Sequence, residues 1–457
     1  MKTIVSDVSR VTLFRTRLGH AASSMKVIGL VSAFFVIVKM ESDFIGLALG
    51  IFTLWLAFRL SKHLRLGETS AAILIIILWV VGFSTWTLLD PGSEGFIPKK
   101  MSFNWVIGIL IFYLPIYFII RGLLEMRTYK SWLTSNPSEM ESFTLHPWED
   151  RGKSERKHPK FLNKKSFMAY VFVLLCTLPV LFLWAAHITQ PPDPSLGINE
   201  AYDFGTKIGY FLFSLPFWWM AIILYRRARR HAMLPGNKLV KKDNRDVILY
   251  LRAFLDDSTI KMRARNNDGR IFLERFVKIT FEELVTDHLW RYGPVVAIGD
   301  PHNKSKLVPL GAARDFVPNA ENDPWKEKVV DLMQQASIIV AVVNQSPGFI
   351  WEMNTIIKDK KLKSKLVLLL PPLKAQDLKS RWDTLVSEVT GAKFPQDIDL
   401  THARAVLFLK DQAVVITADK RNDWTYETVL DTAAELILGN EVLEGDGVGV
   451  VAVASIA

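Results

Sequence analysis

The sequence predicts an α-helical polytopic membrane bundle of about six spans, followed by a soluble α/β domain with a doubly wound, mainly parallel sheet. Three observations predict it. Six apolar segments fill the first half of the chain, and the sixth ends in Arg226-Arg227-Ala228-Arg229-Arg230. Beyond that basic stop, short apolar runs of β type alternate with amphipathic stretches. A mean hydropathy of +0.19 beside 22% charged residues is odd for one globular domain, but natural when lipid-facing and water-facing halves are averaged.

The expected spans are about 21–38, 44–60, 71–89, 104–120, 167–187 and 207–225. A span needs about 20 mainly apolar residues. The first is the weakest, because Val27–Val38 lies between Lys26 and Lys39. Basic residues set the orientation. Counting the N-terminal stretch, the second and fourth connections and the segment after span six, 22 lie on one side, against four on the other. The expectation is a multi-pass protein of the bacterial inner (plasma) membrane, with both termini and a long loop 121–165 in the cytoplasm. The net charge of +10 is read as this topology charge rather than as a nucleic-acid surface.

No Asp, Glu, Arg or Lys lies deep inside a span, which argues against a pump or coupled transporter. Pro115, Pro179 and Pro216 are read as kinks. The N-terminus lacks the short apolar core and small-residue site of a cleavable signal. The single cysteine, Cys176, excludes an intramolecular disulfide and a cysteine metal cluster.

Residues 1–232 thus form the expected bundle, 233–245 a basic linker, 246–440 the α/β domain and 441–457 a tail. Val247–Leu251 and Pro294–Ile298 read as buried strands, and Ser337–Val343 is the strongest strand in the chain. Lys365–Leu370 supplies a fourth strand, and Ala403–Leu409 or Val414–Ile416 a fifth. Helices are expected near 271–291, 325–336, 351–361 and 424–438. Strands alternating with helices imply a parallel sheet of the flavodoxin-like kind, with ligands bound beyond the carboxyl ends of its strands.

The loops at those ends hold the polar residues. Arg252 and Asp256 follow the first strand, and Gly311 and Arg314 come after the second. Ser346 and Trp351 precede Glu352 after the third. Arg252 and Arg314 suit phosphates, or else pair with Asp256, Asp257 or Asp315. Glu352 is placed in a first helical turn, whose dipole would keep it ionised and suited to act as a nucleophile or electrostatic stabiliser. Neither a phosphate-cradling Gly-x-x-x-x-Gly-Lys-Ser/Thr loop nor a Gly-x-Gly-x-x-Gly fingerprint occurs. His288 and His302 read as lone, without metal spacing.

Four pieces carry a resemblance: Tyr250-Leu251-Arg252-Ala253-Phe254 with Asp256-Asp257, Gly311-Ala312-Ala313-Arg314, Trp325, and Gly348-Phe349-Ile350-Trp351-Glu352. They resemble bacterial membrane-anchored proteins whose soluble domain is similar to TIR and nucleoside 2-deoxyribosyltransferase-like domains. The resemblance covers about residues 245–390. It implies that Glu352 acts at a ribosyl anomeric carbon and that Trp351 flanks the base. It implies no metal or cofactor, with NAD or a nucleotide as substrate of an N-glycosidase or transferase in signalling or defence. The expected partners are the lipid bilayer, a nucleotide- or NAD-like ligand and further copies of the chain, and not nucleic acid. A non-catalytic sensor and a gated pore are the competing expectations.

Overall fold

The computed structural model of the chain describes residues 3–39, 200–257, 259–263, 278–299, 310–315, 324–391, 394–395, 398–409 and 412–445, together with isolated positions between 52 and 177. Its contacts divide into two compact units. One comprises Met1–Thr12, Arg151–Val173 and Ile222–Ala457, and the other Leu13–Asp150 and Leu174–Ala221.

An eight-stranded sheet organises the first unit. In chain order its strands are β1 (Thr3–Asp7), β2 (Val247–Leu251), β5 (Val295–Ile298), β6 (Ala313–Asp315), β7 (Ala336–Val342), β8 (Leu366–Leu369), β9 (Ala403–Leu409) and β10 (Gln412–Thr417). Across the sheet the order is β1-β10-β9-β8-β7-β2-β5-β6. The five strands from β8 to β6 run parallel, whereas β9 is antiparallel to both β8 and β10. A separate antiparallel pair, β3 (Lys261–Arg263) and β4 (Lys278–Thr280), leads into the helix that follows. The strand order reverses at β2, which lies between β5 and β7.

Period-two alternation decides which side chains go where. Leu249, Leu251, Ile339, Ala341, Leu366 and Leu368 share one core with α5 (Pro324–Gln335), α6 (Pro347–Lys358), α7 (Lys360–Ser364) and α8 (Ala375–Glu388). The opposite face is covered by α4 (Phe281–Leu289) and α9 (Asp423–Gly445), whose Phe281 and Tyr426 rings meet edge-on at 4.8 Å. With both faces covered, β2, β5, β7 and β8 are buried at every position. Arg404 closes one end of the β9–β10 hairpin by donating to the carbonyls of Thr401, Ala403, Ala418 and Lys420.

Two helices span long stretches outside this core, α1 (Ser9–Lys39) and α2 (Glu200–His231). In the second unit Gly29 of α1 lies so close to Ala57 that an added Cβ would collide with the alanine methyl. A short helix, α3 (Gly236–Lys242), contacts β6 and occupies the stretch expected to be a linker.

These observations correct the expected six-span bundle and its multi-pass inner-membrane location. Among the described residues, no helix is long and apolar enough to cross a membrane. α1 carries Arg10, Arg15 and Arg17 in its first half and Lys26 just past its middle, and it buries Val11, Phe14, Ala21 and Met25 against protein. α2 opens with Glu200, Asp203 and Lys207, carries Ser214 and Pro216, and ends in four arginines. The expected spans 44–60, 71–89, 104–120 and 167–187 lie largely outside the described residues, as does the tail beyond Gly445. The sheet is also mixed rather than doubly wound throughout, and it recruits the N-terminal residues. Thr3–Asp7 pair in register with Ala413–Thr417, and Ser9 Oγ accepts a hydrogen bond from Asp419 N at 2.9 Å.

Successive N–H groups of an edge strand point to opposite sides, so one of Ile4 and Val5 donates towards β10. Of Ile4→Pro and Val5→Pro, one is expected to lower stability by about 1–3 kcal/mol in urea unfolding. Two silent variants would remove β1 from the sheet.

Candidate functional site

Helix α4 positions the first half of the site. Thr280 caps it by accepting from the Glu283 N–H at 3.1 Å, which places Glu282 and Glu283 in the first turn. The adjacent carboxylates serve different partners. Glu283 receives Arg226 Nη2 at 2.9 Å. Glu282, 3% exposed, receives Arg314 from β6 in a bidentate pair at 2.6 and 2.7 Å. It also accepts from the Ala312 N–H at 3.0 Å and faces Arg252 Nε at 3.6 Å. Burial alone would raise the Glu282 carboxyl, but Arg314 and Arg252 outweigh it and hold the group below its ordinary value.

Gly311 permits this approach. Its φ is +153°, and a Cβ there would lie 2.5 Å from Glu282 Oε1. Arg252 follows β2 directly and donates to the Ile298 carbonyl at 3.1 Å, so it ties β2 to the end of β5.

A second network closes the other side of β2. Asp256, in the 3₁₀ turn Phe254–Asp257, accepts both guanidinium arms of Arg381 of α8 at 2.7 and 3.0 Å. It also accepts from Asn344 Nδ2 at 2.6 Å. Asn344 Oδ1 in turn receives the N–H groups of Gln345 and Ser346, shaping the turn from β7 into α6. Between the networks, Tyr250, Arg252, Asp256, Phe281 and Glu282 border a cavity of about 10 Å³, room for one water.

Glu352 lies on α6, beyond the point where the strand order reverses. Ser346 caps this helix by accepting from the Phe349 N–H, and the first turn contains no acidic residue. Glu352 is therefore in the second turn, which corrects the expectation of a dipole-ionised carboxylate. It keeps partial solvent exposure and accepts no hydrogen bond among the described residues. Burial of the carboxyl raises it from 4.5 to about 8, with the Arg252 guanidinium pulling in the opposite direction. Burial thus favours the neutral form of this carboxyl at neutral pH. The neighbouring Trp351 meets Trp325 of α5 edge-to-face at 5.1 Å, with Lys326 Nζ within 6 Å of both ring centroids.

Structure thus groups Arg252, Gly311 and Arg314 around Glu282, and Asp256 with Ser346 through Asn344. The expected partners of the two arginines, Asp256, Asp257 or Asp315, give way to Glu282. The residues that sequence reasoning missed are Glu282, Asn344 as a bridge, and Arg381. Thr280-x-x-Glu283 is a capping-box signal that would have placed Glu282 in a first turn. Arg381 is 125 residues from Asp256 and carries no local signal. His288 is also not lone: its Nε2 lies 2.8 Å from the buried Asp431 Oδ1, which Tyr292 and Arg291 also reach. His302 lies outside the described residues. Among the described residues, no group of three or more His, Cys, Asp or Glu side chains is arranged to hold a metal.

No family model, curated protein or solved structure matches the chain.

Gly311→Ala pushes a methyl into the Glu282 carboxylate at a backbone angle that side chains rarely adopt. It is expected to cost about 1–3 kcal/mol in chemical unfolding. Glu352 makes a second, pH-dependent prediction. Its folded value lies above its ordinary one, so the native state binds more protons between pH 4.5 and about 8. Its contribution is fully present below pH 4.5 and is lost as pH rises through about 8. Unfolding curves across that window should show Glu352→Gln flattening the loss. At pH 9 the variant should be the more stable protein, by on the order of a few kcal/mol.

Proposed function

We propose that the α/β unit acts on a nucleoside or nucleotide, with Glu352 donating the proton that helps an N-glycosidic bond to break. One observation carries this reading. A carboxyl beyond the carboxyl ends of β2 and β7 is pushed up to about 8 by burial and lies within the field of a guanidinium. In the proposed step the C1′–N bond breaks with its electron pair on the base, and Glu352 supplies a proton to that nitrogen. Water then adds to C1′ and returns a proton to the carboxylate. Trp351, Trp325 and Lys326 supply an aromatic and cationic wall for the base. The resemblance of the segments around Arg252, Gly311 and Glu352 to TIR and deoxyribosyltransferase-like domains points to the same glycosidic bond, although the role it implies for the carboxyl is at the anomeric carbon and the role proposed here is on the base. It differs from the expected nucleophile: a proton donor suits a neutral purine or pyrimidine leaving group, whereas the pyridinium of NAD leaves without protonation.

A second reading is ligand binding without turnover. The cavity beside Arg252 has room for one water, and Arg252 and Arg314 are both engaged by Glu282. A sensor of this kind would admit its ligand only by opening those contacts.

The full chain is the material for the test, because β1 completes the sheet. Incubated with NAD and a panel of nucleosides and nucleotides, it should release base measurable by chromatography. Glu352→Gln should reduce that release by about 10²–10⁴-fold, and wild-type rates should fall as pH rises through about 8. Unchanged release in the variant defeats the glycosidase reading. Saturable binding without release, abolished by Arg252→Ala and retained by Glu352→Gln, would establish the sensor.

A further inference from the structure

Ser214, Ala221, Tyr225 and Ala228 of α2 are buried and follow one another at helical spacing, so one narrow stripe of this helix is covered. Most of the remaining circumference is apolar and open. Phe213 is 63% exposed and Trp219 56%, and Leu215, Phe217, Met220 and Ile223 are exposed as well. The Phe213 and Phe217 rings pair at the surface with centroids 5.7 Å apart. Single exposed apolar side chains are ordinary, but a contiguous set on one helix marks an interaction surface. The apolar run then passes directly into charge, because Arg226, Arg227, Arg229 and Arg230 end the helix. Arg226 and Arg229 reach Glu283 and Asp287 of α4. Arg227 is exposed, as are Lys238 and Lys241 of α3, and none of these three forms an ion pair among the described residues.

We propose that α2 attaches the protein to an anionic lipid surface, its apolar middle entering one leaflet while Arg227, Lys238 and Lys241 meet the headgroup phosphates. Three features favour lipid over another protein. The exposed apolar side chains wrap most of the helix, which suits a medium that surrounds it, whereas a protein partner covers one side. Trp219 and the phenylalanine pair precede the arginines, an order that places aromatic rings at the boundary between acyl chains and headgroups. The unpaired basic groups complement a negative surface, each strengthening attachment by about fivefold. This is attachment to one leaflet and not a crossing: among the described residues no helix is long and apolar enough to cross a membrane. It is independent of the reaction assigned to Glu352.

The test uses the full chain and vesicle flotation. Vesicles of equimolar phosphatidylglycerol and phosphatidylcholine should carry the protein with them, and pure phosphatidylcholine should bind it at least about tenfold more weakly. Phe213→Ser and Trp219→Ser leave the charge unchanged and should each weaken binding by about tenfold. Placement is read with a polarity-sensitive dye, after the single cysteine is replaced by Cys176→Ser. The dye is attached at Phe217→Cys or, on the exposed surface of α8, at Lys379→Cys. Anionic vesicles should shift the dye at 217 to the blue and leave the dye at 379 unchanged, a contrast that a change of charge does not produce. Lipids brominated near the headgroup should quench the dye at 217 more than lipids brominated at the chain ends. The flotation experiments use unlabelled protein, so they stand if a labelled variant does not fold. Absence of flotation, equal binding to the neutral vesicles or equal shifts of the two dyes overturns the proposal. So does a stable dimer in lipid-free solution whose dye at 217 is already blue-shifted, which would assign the face to a second copy of the chain. Stronger quenching from the chain ends would contradict attachment at the surface of one leaflet.

Discussion

A buried carboxylate at the start of α4 holds this site together. Glu282 is almost fully removed from water, and such a group persists as an anion only where charge and hydrogen bonds replace its hydration. Arg314, Arg252 and the Ala312 N–H supply them. The same contacts join α4 to β6, to the residue after β2 and, through Arg252, to the carbonyl that ends β5. Removing the carboxylate would leave two buried guanidinium groups facing each other, which makes the cluster an all-or-none arrangement rather than a set of separate bonds.

Around this anchor the sheet does what parallel sheets do where their strand order reverses. The connections after β2 and β7 leave for opposite faces of the sheet, and a crevice lies beyond the strand ends. Here the crevice is bridged by Asp256, Asn344 and Arg381, and the space left holds little more than one water. Glu352 stands outside both networks. Its neighbours in the site are satisfied by one another, and its own carboxyl is largely shielded from water without accepting a hydrogen bond among the described residues. A solvated surface glutamate would stay ionised at neutral pH, and the difference lies entirely in this surrounding.

Much of the sheet was legible in the sequence, because Val247–Leu251, Val295–Ile298 and Ala336–Val342 are short β-branched runs buried on both faces. What was not legible depends on partners distant in the chain. Thr3–Asp7 is as long as β2 but carries only two apolar residues between Thr3 and Ser6-Asp7, and it becomes a strand by pairing with residues some 410 positions later. The reversal of β9 is a property of pairing, not of composition. Apolar length suggested a membrane bundle, whereas among the described residues α1 and α2 break their apolar runs with basic, acidic and polar side chains. In the site, loop position marked out Arg252, Arg314 and Glu352. Their ionisation and pairing follow from Glu282 and from burial, which periodicity does not report.

The most direct test of this account is the protonation of one carboxyl. Infrared difference spectra between the wild type and Glu352→Gln at pH 7 isolate its absorption. A protonated carbonyl band present at pH 7, and replaced by carboxylate bands as pH is raised through about 8, is the predicted result. Carboxylate bands alone at pH 7, with the protonated band appearing only near pH 4.5, would show an ordinary solvated glutamate and contradict it.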